Sequence, residues 1–252
     1  MPTDAALARA LALVRDLRAR CPWDGAQTPD TLRPYLVEEV LELDQAIADG
    51  APERRRDELG DLLLHIAFQL VIAEERREFD AEGVTRALEE KMWRRHPHLF
   101  AGADRPASWE AVKRRERAPG AGTLQGIPRT LPPLLMAYRL QERAAGVGFD
   151  WPDAAGPLAK VKEETAELER EMGAADHAAA TRELGDLLFA AVNLARKLGI
   201  DPRAALEGAN AKFVRRFEQV ERRATERGME LGRATLAELD RLWDEIKVGE
   251  SE

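Results

Sequence analysis

The sequence is short of several residue types, and each shortage removes a class of function. Cys21 is the only cysteine among 252 residues. Neither an internal disulfide nor a cysteine-held zinc site can form, which agrees with a reducing compartment. Aromatic side chains are scarce, at 6%. No apolar run reaches the roughly 18 residues that a membrane span requires. The N-terminus lacks the basic start and long apolar core of a signal peptide, so a cytoplasmic location is expected. Basic residues are outnumbered, 38 against 46, giving a net charge of −8. A surface of that balance does not suit duplex nucleic acid. There is no P-loop and no GxGxxG motif. The histidines His65, His96, His98 and His177 show no ligand spacing and are expected to be structural or exposed.

Charge and helical periodicity are plentiful. Hydrophobic residues make up 44% and charged residues 33%, a balance typical of helical globular chains. Leu7, Leu11, Val14 and Leu17 recur at helical spacing from Asp4 to about Arg20. Pro22 ends that pattern, and CPWDGAQTPDTLRP reads as a loop in which Trp23 is a hydrophobic plug in preference to a ligand contact. Helices are expected at about 31–49, capped by Asp30 or Thr31, at 53–78, and from Asp80 to the KMWRRHPHLF segment. SWEAVKRRER, with Ser108 as cap, reads as one more. Residues 118–133 hold three glycines and four prolines, the composition of a linker between units 1–117 and 134–252. Beyond it, helices are expected at about 134–145, 158–172, 176–198, 202–227 and 235–247. Sustained period-two alternation is absent, so the fold class read here is all-α.

The strongest organising signal is internal repetition. Glu39, Glu42, Glu58 and Asp61 fall on Glu164, Glu167, Glu183 and Asp186 at one offset, 164 − 39 = 125. ELGDLLLHIAF aligns with ELGDLLFAAVN at the same offset. Lys91 and Arg95 fall on Lys212 and Arg216 at 212 − 91 = 121, and Trp109 with Lys113 echoes Trp243 with Lys247. The chain is read as a duplicated helical unit. A repeat that keeps charged as well as apolar positions points to an inherited binding site.

The acid pairs are spaced i, i+3, so each pair shares a helix face. Two such helices packed antiparallel bring both pairs to one cleft. Crowded carboxylates need a shared cation, and hard oxygen ligands suit Mg²⁺ or Mn²⁺. Di-iron bundles want Glu-x-x-His, which neither Glu-x-x-Asp provides. In the second repeat, Leu184, Leu187, Ala191, Leu194 and Leu198 form one expected apolar face, and Leu158, Val161, Leu168 and Met172 another. Ala190 and Asn193 stand beside Asp186. Lys212 and Arg216 share a helix face, and Lys160 precedes Glu164 by one turn. Beside a carboxylate-held metal, such cations suggest a phosphate-bearing substrate. Trp243 is read either as core or as a surface on which a base stacks.

These residues resemble the MazG family of nucleoside triphosphate pyrophosphohydrolases, in its long, two-repeat form. The likeness runs through CPWD, YLVEEVLELDQAI, RDELGDLLLHIAF, KMWRRHPHLF, VGFDW, KVKEETAELE and ELGDLLFAAVNLARKLG. The resemblance implies helical units that dimerise into four-helix bundles, and Mg²⁺-dependent hydrolysis of NTP to NMP and diphosphate. It implies Glu164, Glu167, Glu183 and Asp186 as metal ligands. Lys160, Lys212 and Arg216 would hold phosphates, Trp243 would contact the nucleotide, and Asn193 joins this substrate-binding group. Glu163 remains as the carboxylate free to orient water. Glu39, Glu42, Glu58 and Asp61 form a candidate second metal site. The family places activity mainly in the second repeat. The substitutions agree: at the 125 offset Lys160 becomes Tyr35, Ala190 becomes His65 and Asn193 becomes Phe68. The first repeat is therefore expected to keep a metal site but to turn over nucleotide poorly. A competing reading is a non-catalytic helical dimer that binds nucleotide or a protein partner. A narrower pyrophosphohydrolase, acting on dUTP or phosphoribosyl-ATP, is the nearer alternative.

Overall fold

The computed structural model describes residues 4–100, 122–174 and 176–249. Every regular element among them is helical. The chain divides into two compact units, Met1–Pro106 and Ala107–Glu252. The expected helix at SWEAVKRRER, with Trp109 and Lys113, lies outside the described residues. Among the described residues no helix is long and apolar enough to cross a membrane.

In the first unit, α1 (Asp4–Arg20) leads through a single helical turn, α2 (Pro22–Gly25), into α3 (Pro29–Ala48). α4 (Pro52–Glu75) folds back on α3 and also packs on α1. α5 (Ala81–Arg95) and α6 (Pro97–Phe100) follow. Thr28, not Asp30 or Thr31, caps α3. Its side chain accepts from Thr31 N at 3.2 Å, and Thr31 Oγ1 accepts from Thr28 N at 2.9 Å. A reciprocal cap of this kind contributes about 1 kcal/mol. Val14, Leu32, Ala67, Phe68, Val71 and Ile72 form the core. Each large member contributes about 1.5–3 kcal/mol on burial. Trp23 is not a plug, because its side chain is 58% exposed. The polar Arg18 side chain instead supports the turn, donating to Asp24 O at 2.8 Å and Gln27 O at 3.1 Å and pairing with Glu75 at 2.7 Å.

In the second unit, α7 (Pro133–Ala145) precedes a long hairpin of α8 (Ala155–Ala174) and α9 (His177–Lys197). α10 (Pro202–Glu226) and α11 (Leu236–Gly249) complete it. α8 packs along α9, α7 lies against α9, and α11 lies against α10. Asp176 caps α9 and Asp201 caps α10 through backbone amides. One core, of Val220, Ala224, Leu242 and Ile246, joins α10 to α11. Residues 122–132 belong to this unit, where Arg143 donates to Gln125 O and Leu124 packs with α7 and α9 side chains.

The hairpin does not bury the apolar face expected of α9. Ala179, Ala190, Val192 and Asn193 are buried, whereas Leu184 and Leu198 are about half exposed and Ala191 is exposed. On α8, Leu158 and Met172 are exposed too. A helix in a two-helix layer can press only one stripe on its neighbour. Here that stripe carries small residues and the acids, so Leu184 and Leu198 face outward while Leu187 and Leu194 are half-buried.

Candidate active site

The α8–α9 hairpin assembles a carboxylate cluster from residues far apart in sequence. Glu164 on α8 and Glu183 and Asp186 on α9 each offer an oxygen, all within 4.8 Å of one another. Glu164 is 4% exposed. It also belongs to a second group, with Glu163 and Glu167. A buried carboxylate beside two others is costly unless a cation compensates it. This all-oxygen donor set fits a hard divalent ion.

A cavity of about 170 Å³ opens at the cluster, lined by Trp151, Pro157, Lys160, Glu164, Asp186, Phe189, Ala190 and Asn193. The small side chain of Ala190, one turn beyond Asp186, leaves that space open. Lys160 Nζ lies 2.9 Å from Glu163 and 2.5 Å from Glu164. Hydrogen bonding to Glu164 and then Glu163 pushes the Lys160 pKa well above its ordinary value. The expected phosphate ligand is thus neutralising the acids, and Glu163 is engaged by it.

The VGFDW segment adds a wall that sequence reasoning noted only as a family motif. Asp150 pairs with Arg196 at 2.5 Å and Lys197 at 3.2 Å, and Lys197 donates to Trp151 O at 2.6 Å. Arg196, followed by Lys197, holds the Asp150 carboxyl below the usual aspartate range. Gly156 is required where Trp151 passes over the start of α8. A Cβ there would lie 2.0 Å from Trp151 Cδ1. Trp151, Phe189 and Asn193 also line an adjoining, mostly apolar cavity of about 280 Å³, with Phe149, Leu124, Leu140, Gln141, Ala144 and Arg196. Asn193 Oδ1 accepts from Arg196 Nε at 3.0 Å and Nη2 at 2.8 Å. Gln141 Nε2 donates to Phe189 O at 2.8 Å, while its buried Oε1 has no hydrogen-bond partner.

Lys212, Arg216 and Trp243 are not among the residues lining either cavity. They gather on the α10–α11 pair. The Arg216 guanidinium lies 5.8 Å from the Trp243 ring centroid, and the Phe213 ring lies at 5.4 Å. Trp243 also packs on the unit's core.

The first unit repeats the cluster. Glu39, Glu58 and Asp61 place ligand oxygens within 4.8 Å of one another. At the 125 offset these match Glu164, Glu183 and Asp186. Glu42 and Glu167 fall outside both triads. Burial first, then repulsion from Asp61, Glu42 and Glu38, raises the Glu39 pKa. Desolvation, then Glu42, raises that of Glu58. The surroundings differ as the substitutions predict. Phe68, in the place of Asn193, is 3% exposed and part of the core. His65, in the place of Ala190, is buried, with Nε2 3.8 Å from Glu39 Oε1. Burial lowers its pKa, opposed by Asp61. The Asp61-x-x-x-His65 spacing puts both on one face of α4.

Sequence comparison agrees with this architecture. The model for the MazG nucleotide pyrophosphohydrolase domain matches residues 27–100 and 156–221, one segment in each unit. A nucleoside triphosphate pyrophosphohydrolase of Escherichia coli K12 is 42% identical over 244 residues, covering 93% of each chain. A Thermotoga maritima protein named nucleoside triphosphate pyrophosphohydrolase/pyrophosphatase is 42% identical over 235 residues, covering 91% of this chain and 90% of its own. A Mycobacterium tuberculosis pyrophosphohydrolase is 36% identical over 150 residues, 57% of this chain and 46% of its own. With both segments matched and the first two of these similarities spanning nearly its whole length, the chain belongs to the MazG nucleotide pyrophosphohydrolase family.

Proposed function

We propose that the protein is a Mg²⁺-dependent nucleoside triphosphate pyrophosphohydrolase with a broad substrate range, converting NTP and water to NMP and diphosphate in its second unit. The observation that carries this reading is that two neighbouring cavities share lining residues. A carboxylate cluster suited to a divalent ion opens at one end, an apolar chamber at the other, and Trp151, Phe189 and Asn193 belong to both. A triphosphate needs the first and a base the second.

Glu164, Glu183 and Asp186 would hold the ion, with Glu167 at the edge. Bound Mg²⁺, or Mn²⁺, supplies charge neutralisation on the phosphates and a more acidic water. Lys160 would exchange its carboxylate partners for a phosphate, stabilising charge on the departing diphosphate. That exchange frees Glu163 to orient the attacking water. Trp151 and Phe189 would pack against the base or sugar.

Dimerisation is part of the reading. Leu184, Leu188 and Leu198 on α9, with Phe213 and Phe217 on α10, are exposed apolar side chains that a second copy would cover. A second copy would also bring Lys212, Arg216 and Trp243 to the acids. Incubation with each NTP and Mg²⁺, with products resolved, tests the reaction. NMP and diphosphate are expected, and NDP with phosphate overturns α–β cleavage. Mixing Glu164→Gln protein with the Lys212→Ala/Arg216→Ala double variant tests the shared site. Recovery of activity in the mixed dimer is expected, and none overturns the sharing.

A further inference from the structure

The first unit's acid triad has a neighbour that its counterpart lacks. His65 follows Asp61 by four residues on α4, so both lie on one face of the helix. Its ring is 7% exposed. Nε2 lies 3.8 Å from Glu39 Oε1, beyond hydrogen-bonding distance. Nδ1 is buried without a hydrogen-bond partner. A buried imidazole is normally held by at least one hydrogen bond, and this one faces a carboxylate that it does not quite reach.

Those distances suit a shared ion. Metal–nitrogen and metal–oxygen bonds of about 2.0–2.2 Å allow two ligand atoms of one ion to be up to about 4.2 Å apart. The 3.8 Å between His65 Nε2 and Glu39 Oε1 falls inside that limit. The oxygens of Glu39, Glu58 and Asp61 lie within 4.8 Å of one another on side chains that are not fully buried, so small rotations bring them to one centre. Asp61 and His65 come from α4 together with Glu58, and Glu39 comes from α3, a donor set on two packed helices.

Donor chemistry then decides the ion. Three carboxylates alone suit Mg²⁺, which retains water and takes oxygen ligands. Adding an imidazole shifts preference to Mn²⁺, Fe²⁺, Co²⁺ or Zn²⁺. We propose that Glu39, Glu58, Asp61 and His65 form a divalent transition-metal site in the first unit, distinct in metal preference from the all-oxygen cluster of the second. The duplicated hairpin thereby holds two kinds of metal centre, and the replacement of Ala190 by His65 at the equivalent position is what separates them. The assignment stands on first-unit geometry alone and does not depend on where hydrolysis occurs.

The test uses the full chain, freed of metal with a chelator, with the second cluster silenced by Glu183→Gln and Asp186→Asn. One equivalent of Mn²⁺ is added and pulsed electron paramagnetic resonance is recorded for ¹⁴N coupling to the ion. Coupling is expected, and it disappears in His65→Gln. In Co²⁺ titrations the same change weakens binding by about tenfold or more, while Mg²⁺ affinity is unmoved. His65→Asn is a second variant, and circular dichroism establishes that each is folded. Bound Mn²⁺ without ¹⁴N coupling, or no binding at the intact first-unit cluster, overturns the proposal without any variant at His65. Failure of NTP hydrolysis leaves both readouts unaffected, so this site and the proposed activity are judged separately.

Discussion

The two acidic hairpins carry the same triad of carboxylates and differ in what stands one turn further along the second helix. In the second unit Ala190 and Asn193 leave a cavity beside Asp186. In the first, His65 faces the acids and Phe68 is drawn into the core with Val71 and Ile72. Packing against α1 gives the first hairpin a large apolar core. The second hairpin buries mainly small or polar side chains, among them Ala179, Ala190, Asn193 and Glu164. One copy has been filled in, and the other has kept its space. A duplicated set of acids therefore does not bring duplicated surroundings. Volume and polarity around the ligands decide whether a substrate can join them.

The sharpest way to break this comparison is to remove the same acid from each copy. Glu164→Gln is expected to lower diphosphate release by about a thousandfold, since the ion's charge stabilisation is worth several kcal/mol. Glu39→Gln should leave turnover within about threefold. Equal losses would mean that both copies catalyse.

The next test transplants the difference. Ala190→His is expected to cut turnover by about ten- to a hundredfold, because side-chain bulk beside Asp186 displaces the reacting groups. Retained turnover at saturating Mg²⁺ would show that bulk at this position does not obstruct the second unit's site.

A third change probes the wall unique to the second unit. Gly156→Ala drives a methyl group into the Trp151 ring, since the added carbon would lie only 2.0 Å from Cδ1. Overpacking of this kind costs about 1–3 kcal/mol. Thermal unfolding of the second unit should shift downward while the first unit's transition holds.

The smallest expected effect is one of opposite pH responses in chelator-treated protein. Burial and neighbouring acids raise the pKa of Glu39. Its stabilising contribution is therefore full below the ordinary glutamate range and lost as pH rises through the raised value. Arg196 and Lys197 lower the pKa of Asp150. Its contribution is full above the ordinary aspartate range and lost as pH falls through the lowered value. Mild acidification should thus raise the first unit's melting temperature before it lowers the second's, and Asp150→Asn should remove the second response. Parallel shifts in both units would contradict this assignment.

Much was legible from residues alone. Helix positions followed from apolar periodicity and from Pro and Gly punctuation, and the observed ends differ by a few residues. The repeat and the acid pairs were legible because i, i+3 spacing is a property of any helix. The caps were less so: Thr28 displaced Asp30 and Thr31 because its reciprocal bond with Thr31 satisfies two backbone or hydroxyl groups at once. The outward α9 leucines were not legible, because periodicity reports an apolar face without saying which face a neighbour covers.

By itself the sequence determined an all-α chain, a duplication at an offset of 125, and two sets of acids on helix faces. Those follow from local geometry and composition, which no partner is needed to define. Only the tertiary structure decided that Glu164 meets Glu183 and Asp186 in one group and Glu163 and Glu167 in another, and that Lys160 neutralises Glu163 and Glu164. It alone set Trp151 against Gly156, placed Lys212, Arg216 and Trp243 away from the acid cavity, and turned His65 toward Glu39. These are contacts between elements, and their outcome rests on which side chains fill the space between helices.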